Sequence, residues 1–490
     1  MSATLAHRGS IGYTGHKPLK EMPMSDTLDI ATPVEPDALR GPDEHLNPLW
    51  VERLRARLDA GDAGEVADLV APLHAADMGD LLEALGAEER VKLVTLLGDK
   101  FDFSALTEVD GSIRSDLIEE LPRADVARGV AELDNDDAVY ILEDIDVPAR
   151  DDILAQMPAF ERLKLRRSLD FPEDSAGRLM QTDFIAIPPF WTVGQTIDYM
   201  RSEQDLPDDF YQIYVVTAAY TLEGIVALDK FLRSRRDVRM ADVMQADPIE
   251  IDASEDQERA ARIFERYDLV EVAVVDETKR LVGVLTIDDI VDVIHEEATE
   301  DMQRLAGVGD EDISDDVRTT LRSRLTWLFV NLLTAILASA VIDAFDGTIS
   351  KMVALAVLMP IVASMGGNAG TQTMTVTVRA LATQELDRYK LSRLVLREIF
   401  VGIANGWFFA LIVGVVATIW FQNWGLGVVM ALALVVNLFA AALAGVLIPL
   451  GLNRLRIDPA IASSAFVTTV TDVVGFYSFL LFAGLWFHLF

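Results

Sequence analysis

Two periods of apolar residues divide the chain. Between residues 46 and 172, leucines and valines recur at i, i+3 and i+4 in short runs broken by acidic turns, as in LLEALGAEERVKLVTLL and DLIEELPRADVARGVAELDNDD. That spacing puts one apolar stripe on each of several short helices and predicts an all-α superhelical domain. From about residue 177 the pattern becomes mixed and a weak internal repeat emerges. MQTDFIAIPPFWTVGQTIDYM from Met180 pairs with MQADPIEIDASEDQERAARIF from Met244. Each copy continues as an apolar strand, a turn, a second strand and an acidic helix, through IYVVTAAYTLEGIVALDKF and EVAVVDETKRLVGVLTIDDIVDVI. This predicts two βαββα units in tandem, each burying the other's open face. The last third is different again. Apolar runs at roughly 325–343, 352–378, 395–420, 427–452 and 463–490 each reach the ~20 residues a helix needs to cross a bilayer, so five membrane helices are predicted.

Charge sharpens this division. Residues 1–324 hold 71 acidic and 34 basic residues, whereas 325–490 hold seven and eight, so nearly all of the net charge of −36 lies outside the membrane part. A surface this acidic repels phosphate backbones, which excludes nucleic acid as a partner and favours cations. Arg322 and Arg324 precede the first span, Arg379, Arg388, Lys390, Arg393 and Arg397 join the second to the third, and Arg454 and Arg456 join the fourth to the fifth. The positive-inside rule then places the N-terminus in the cytoplasm and the C-terminus outside. Residues 1–45 carry no apolar core of signal-peptide length and read as a disordered tail. There is no cysteine, no phosphate-binding glycine fingerprint and no ligand spacing among the six histidines at 7, 16, 45, 74, 295 and 488, so an enzyme is not expected.

An acidic helical domain, the segment EDSAGRLM at 173–180, the repeat pair, an acidic connecting helix and five spans carrying PIVASMGGNAGTQ and DPAIASSAFVTTVTDVVG together resemble the MgtE family of magnesium channels and transporters. The repeat pair resembles cystathionine-β-synthase-type (CBS) units. The two membrane motifs carry the resemblance far more specifically than the CBS pair, and the match covers roughly 46–490. The expected division is a tail at 1–45, a helical domain at 46–172, CBS units at 173–240 and 241–297, a connecting plug helix at 298–324 and a pore domain at 325–490. The resemblance implies a homodimer in the cytoplasmic membrane that imports magnesium and is closed by magnesium bound to its acidic cytosolic part. Two alternatives stay open: a membrane-anchored cation or nucleotide sensor without transport, and a transporter of cobalt or manganese.

Asp472 is the only carboxylate well inside a span. At ~1.5 Å per residue from a helix start near Ser463 it sits close to the middle of a ~30 Å core. A charge there costs ~2.5–3.5 kcal/mol on insertion scales and usually faces a water-filled pathway. Thr468, Thr469 and Thr471 surround it with hydroxyls. Magnesium keeps much of its water and takes one or two carboxylates, which a single Asp per helix can supply. By resemblance, Asp472 from each subunit forms the ion site with backbone carbonyls near Thr468. Gly366, Gly367, Asn368, Ala369 and Gly370 put three glycines in five residues, which weakens a helix and implies either a pore wall or close helix packing. Asn368, Thr371 and Gln372 favour the pore wall, although the family often has a second Asn where this chain has Thr371. Asn405 and Asn437 read as interhelical hydrogen bonders. Glu398 reads as a snorkelling residue or, by resemblance, as part of the inner mouth.

Asp288, Asp289, Asp292, Glu296, Glu297, Glu300 and Asp301 crowd one helical stretch, and no basic residue is expected to answer them. A divalent cation bridging this run to an acidic neighbour would cancel the repulsion. By resemblance, the cytosolic metal positions are Asp136 or Asp137, Glu258, Asp268, Asp289, Asp292, Glu297 and Glu300, and Asp458 joins the plug to the pore. Asp301 is placed in the same set by its position in the run. Thr286, with Asp289 three residues later, suits the ribose of ATP or another adenosine nucleotide, the plain alternative being a strand-to-helix cap.

Overall fold

The computed structural model describes residues 38–41, 45–203, 206–207, 209–308, 317–382 and 388–489. Most of the tail expected at 1–45 lies outside these residues. The chain forms two units, Met1–Pro72 and Leu73–Phe490. In the first, α1 (Pro48–Ala60) and α2 (Ala63–Val70) bury Leu54, Leu58 and Val66. Asn47 caps α1 by accepting from the Leu49 N–H, with Pro48 at the first helical position, and Asp62 caps α2 by accepting from Glu65 N–H.

The second unit opens with seven short helices: α3 (Ala75–Ala84), α4 (Ala87–Leu97), α5 (Gly111–Glu120), α6 (Arg123–Val130), α7 (Asn135–Glu143), α8 (Val147–Gln156) and α9 (Ala159–Leu169). The acidic turns seen in sequence are their starts. Asp110 accepts from Ser112 N–H ahead of α5, and Glu89 reaches back to the Gly86 N–H ahead of α4. Carboxylates suit these positions because the first turn leaves backbone donors unpaired and carries partial positive charge. Arg114, 3% exposed, braces the interior by donating to Asp144 and to the carbonyls of Leu106 and Val109.

After the single turn α10 (Ala176–Leu179), the repeat folds as two related units. The first contains β1 (Ala186–Ile187), α11 (Val193–Ser202), β2 (Gln212–Val216), β3 (Leu222–Ala227) and α12 (Leu228–Arg233). Then come α13 (Met240–Val243), β4 (Gln245–Ala246), β5 (Glu250–Asp252), α14 (Gln257–Tyr267), β6 (Glu271–Val275), β7 (Leu281–Thr286) and α15 (Ile287–Ala306). In both units the first strand pairs parallel to the second, which pairs antiparallel to the third. The opening Met-Gln of each repeat crosses to the other unit: Gln181 pairs with Val284 of β7, and β4 adds antiparallel to β3. Tyr214, Val216, Ala273, Leu281 and Val284 form a buried cluster across the pair, so each open face is covered by the other. The Tyr214 hydroxyl donates to the Glu271 carboxylate across this seam at 2.5 Å.

The expected connecting helix at 298–324 is not continuous. α15 ends at Ala306 because Gly307 adopts φ 73°, where its N–H and that of Val308 close on the carbonyls of Arg304 and Gln303. Residues 317–324 instead begin the first span helix, α16 (Val317–Asp343). It is followed by the short α17 (Asp346–Lys351), then α18 (Ala354–Ala382), α19 (Arg388–Phe421), α20 (Trp424–Arg454) and α21 (Pro459–Trp486). Five of these helices are long and apolar enough to cross a membrane, at Thr320–Asp343, Ala354–Leu381, Leu391–Phe421, Trp424–Arg454 and Ser464–Trp486. The Lys351 ammonium donates to the Leu489 carbonyl at 2.5 Å, and Trp424 meets Trp486 edge to face at 5.5 Å. One end of the bundle therefore gathers the 343–353 connection, the α19–α20 turn and the C-terminal end, as an odd number of spans requires. Tryptophans at that level match the preference of amphipathic rings for the membrane interface.

Candidate cation path and acidic joints

Helix α18 runs unbroken through its glycines, contrary to a helix weakened there. A side chain at Gly366 would collide with Asn437 of α20, and one at Gly370 with Val467 of α21. These two glycines, four apart, let neighbouring helices approach, and packing pressure keeps the helix continuous. Asn437 is fully buried and donates to the Val362 carbonyl at 2.8 Å, which fixes α20 against α18. Asn405 lies on an exposed face of α19. Gly367 has open space where a side chain would be, on the same side as the exposed Asn368, Thr371, Gln372 and Thr375. The segment is thus divided, with Gly366 and Gly370 packing against neighbouring helices and Gly367 and Asn368 facing outwards.

On α21, Asp472 is partly exposed and Thr468, one turn earlier, is exposed. Thr471 is not: it is fully buried, approaches Gly370, and its hydroxyl donates to the Thr468 carbonyl at 2.9 Å. Thr469 donates to the Ala465 carbonyl at 2.6 Å. The three hydroxyls expected around Asp472 therefore reduce to Thr468, and the Thr468 carbonyl already has a side-chain donor on one of its lone pairs. The contact of Gly370 with Thr471 sets α18 beside α21 at the depth of Asp472. Glu398 does not snorkel; it is 7% exposed, accepts from the Thr373 hydroxyl at 3.3 Å and pairs with Arg397 at 2.8 Å. It ties α19 to α18.

Outside the span helices, α15 meets carboxylates at both ends. At its start, Asp289 stands beside Asp136, the second residue of α7. Asp136 is 8% exposed; one oxygen accepts from Gln181 at 3.0 Å and the other is buried without a donor among the described residues, as is the Asn135 amide oxygen. Burial pushes Asp136 up to about 6 and Asp137 to about 7, with Asp134 and, for Asp137, Asp136 adding repulsion. Asp289 is raised well above the usual carboxylate range, by burial first and by Asp136 second. Charged, this pair lacks a cation, and a divalent ion or a proton would complete it.

At the far end of α15 the picture differs. Glu297 accepts from Gln257 at 2.9 Å, and Glu258 pairs with Arg262 at 3.2 Å. A cavity of about 390 Å³ lies between this stretch and the adjacent ends of α18, α20 and α21, with Asp174, Asp256, Glu258, Glu297 and Asp301 on its wall. Burial, then Asp458 and Glu297, raises Asp301. Here the expectation that no basic residue answers the acidic run fails. Arg304 pairs with Glu300 one turn earlier and donates to Asp458 at 2.7 Å. Its spacing from Glu300 was visible in sequence as an i, i+4 pair, but its reach to Asp458 was not.

Other positions separate from these joints. Asp268 is exposed and ends α14 in the left-handed conformation at φ 52°, where it acts as a helix stop. Asp292 is exposed on α15 and is raised by burial and by Asp288. Thr286 and Asp289, the expected ribose pair, are bonded to each other at 2.7 Å, and Thr286 makes no side-chain cap. Among the described residues no three Asp, Glu or His side chains form a preformed metal cage. The carboxylates are gathered as pairs and looser groups around open space, a pattern that suits an ion retaining water better than a dehydrated one.

Three family models match successive parts of the chain. Residues 359–482 match MgtE, a divalent cation transporter family, residues 73–174 match the MgtE intracellular N domain, and residues 240–296 match a CBS domain. The magnesium transporter MgtE of Thermus thermophilus is 31% identical over 440 residues, covering 88% of this chain and 97% of the relative. That of Bacillus subtilis is 29% identical over 435 residues, covering 88% and 96%. A crystal structure of the soluble part of a magnesium transporter, 26% identical, covers 51% of this chain and 98% of its own with a TM-score of 0.47. Another, of the cytosolic domain of the Mg²⁺ channel MgtE in complex with ATP, is 26% identical and covers 50% and 99% with a TM-score of 0.46. With three family segments in the order in which helical, CBS and membrane parts succeed one another, and relatives aligned over most of its length, the chain belongs to the MgtE family of divalent cation transporters.

Proposed function

We propose that this protein is a magnesium channel or transporter of the cytoplasmic membrane, working as a homodimer, that imports magnesium and is closed when cytosolic magnesium binds its acidic joints. The observation that carries the reading is a polar face left open on an apolar bundle. Asp472 and Thr468 on α21, and Asn368, Thr371, Gln372 and Thr375 on α18, are left at least partly uncovered by the chain's own helices. Facing lipid, these groups would lose hydration with nothing in return. A second copy covers them and encloses a wet path on the shared axis, where two Asp472 carboxylates balance the two charges of a hydrated magnesium ion. The N-terminal part is then cytosolic and the end near Trp424 and Trp486 is outside.

Closure follows from the upper joint. Magnesium between Asp136 and Asp289 offsets their repulsion and holds α7 to α15; when it leaves, the carboxylates separate and α15 is freed. The residues fit such an ion, because one buried oxygen of Asp136 lacks a donor among the described residues. An adenosine nucleotide such as ATP at Thr286 and Asp289 has to break their mutual hydrogen bond, so it competes with this contact.

The test is magnesium uptake into proteoliposomes under an inward gradient. Asp472→Ala is expected to lower flux at least a hundredfold, and millimolar magnesium on the cytosolic face to suppress wild-type flux. Unchanged flux in Asp472→Ala would remove the pore reading, and transport of cobalt or manganese without magnesium would change the ion. No transport of any divalent ion returns the protein to a sensor anchored by its helices.

A further inference from the structure

The last turn of α15 carries two adjacent residues that both engage the membrane part. Arg304 donates to Asp458 at 2.7 Å while pairing with Glu300, and each of the three side chains is a little over a quarter exposed. Asp458 is itself fixed, since its other oxygen accepts from the Ala460 N–H at 2.8 Å and caps α21. Leu305 packs into a buried cluster of Met374 and Val378 from α18 with Ala460 and Val467 from α21. Val467 abuts Gly370 and directly precedes Thr468. An ionic contact and an apolar contact therefore join the cytosolic helix to the two helices that carry the proposed path. Among the described residues the upper joint has no cation of its own; this joint does.

We propose that Arg304 is a built-in cation that latches α15 to the pore helices without metal, withdrawing Glu300 and Asp458 from the metal-binding set. The guanidinium donates a hydrogen bond to Asp458 and pairs with Glu300, countering both carboxylates as a bound divalent ion would, but it is covalently held and cannot be washed out. Its place in the last turn also suits the negative end of the helix. Removing metal releases α7 from the start of α15 while its end stays seated, so the helix pivots about Arg304 and Leu305. The inference deepens the proposed gating, but the latch itself is readable whether or not the protein conducts magnesium.

Amide hydrogen exchange on the full-length protein in nanodiscs, in chelator and then in magnesium, tests this. In chelator, residues 299–306 of the wild type are expected to stay protected while 287–293 exchange quickly. Arg304→Gln is expected to speed exchange in 299–306 at least tenfold, with α14 and β6 unchanged, and magnesium is expected to restore protection only in the variant. Asp458→Asn removes the same ion pair from the other side while keeping a competent helix cap, so it must reproduce the loss if Arg304→Gln disturbs folding. Rapid wild-type exchange in 299–306 under chelation, or equal magnesium-dependent protection in wild type and variant, overturns the latch. Unchanged exchange in Arg304→Gln overturns the latch as well, whereas the expected exchange changes with magnesium flux unaltered in both variants count against the gating reading alone.

Discussion

The two ends of α15 make the same kind of contact with opposite provision for charge. At the start, Asp289 meets Asp136 with Asp134, Asp137 and Asp288 around them and no cation in place among the described residues. At the end, Glu300 and Asp458 share Arg304. On the proposed reading, a joint with its own cation is always made, and a joint without one is made only when the solution supplies it. Dependence on an ion thus comes from leaving out a basic residue where burial makes the omission costly.

Neutralising Asp289 attacks this contrast most directly. Asp289→Asn removes one charge and offers its amide to the unpartnered oxygen of Asp136, so the upper joint should close without metal. Trypsin digestion of the purified protein in chelator is expected to slow at least tenfold, to the rate the wild type shows in magnesium. If the variant is cut as fast as the wild type in chelator, repulsion between these carboxylates is not what opens the joint.

Protons should act as a milder substitute. Asp136 at about 6 and Asp137 at about 7 lie above the ordinary value of 3.8, so the folded, joined state holds more protons than the separated one between about pH 4 and 7. Stability of the joint therefore falls as pH rises through that window and is regained as pH drops. In chelator, proteolysis between α9 and β1 is expected to quicken severalfold from pH 5.5 to 8, and magnesium should flatten the profile. A flat profile without magnesium would show that the two groups are solvated in the joint.

The smallest effect is expected where the structure separates a residue from both joints. Asp268→Asn keeps a side chain that tolerates the left-handed conformation at the end of α14. It should change magnesium-dependent protection less than twofold. A larger change would bring Asp268 into a metal site that one chain does not complete.

Much of this was legible in the order of residues. The i, i+3, i+4 leucines marked the short helices, the Met180 and Met244 repeat marked the paired α/β units, and uninterrupted apolar runs marked the five spans within a few residues. Asp472 was conspicuous because an isolated carboxylate in an apolar run has few physical justifications. These are local properties, set by period, length and solvent preference, and each is present in a single stretch of chain.

What the sequence could not show was which groups meet. Gly366 and Gly370 looked like a weakness until Asn437 and Val467, from helices far along the chain, filled the space beside them. Thr471 looked like part of a hydroxyl ring until packing turned it towards Gly370. The acidic run looked unanswered because Arg304 serves Glu300 from its own helix and Asp458 from 154 residues away. Asp136 and Asp289 lie on separate helices, and burial, with Asp136 beside Asp289, raises their affinity for protons. Composition and periodicity determined the elements and their solvent, because those depend on neighbours in sequence; charge pairing, close packing and the contrast between the two joints depend on distance in space, which only the tertiary structure decides.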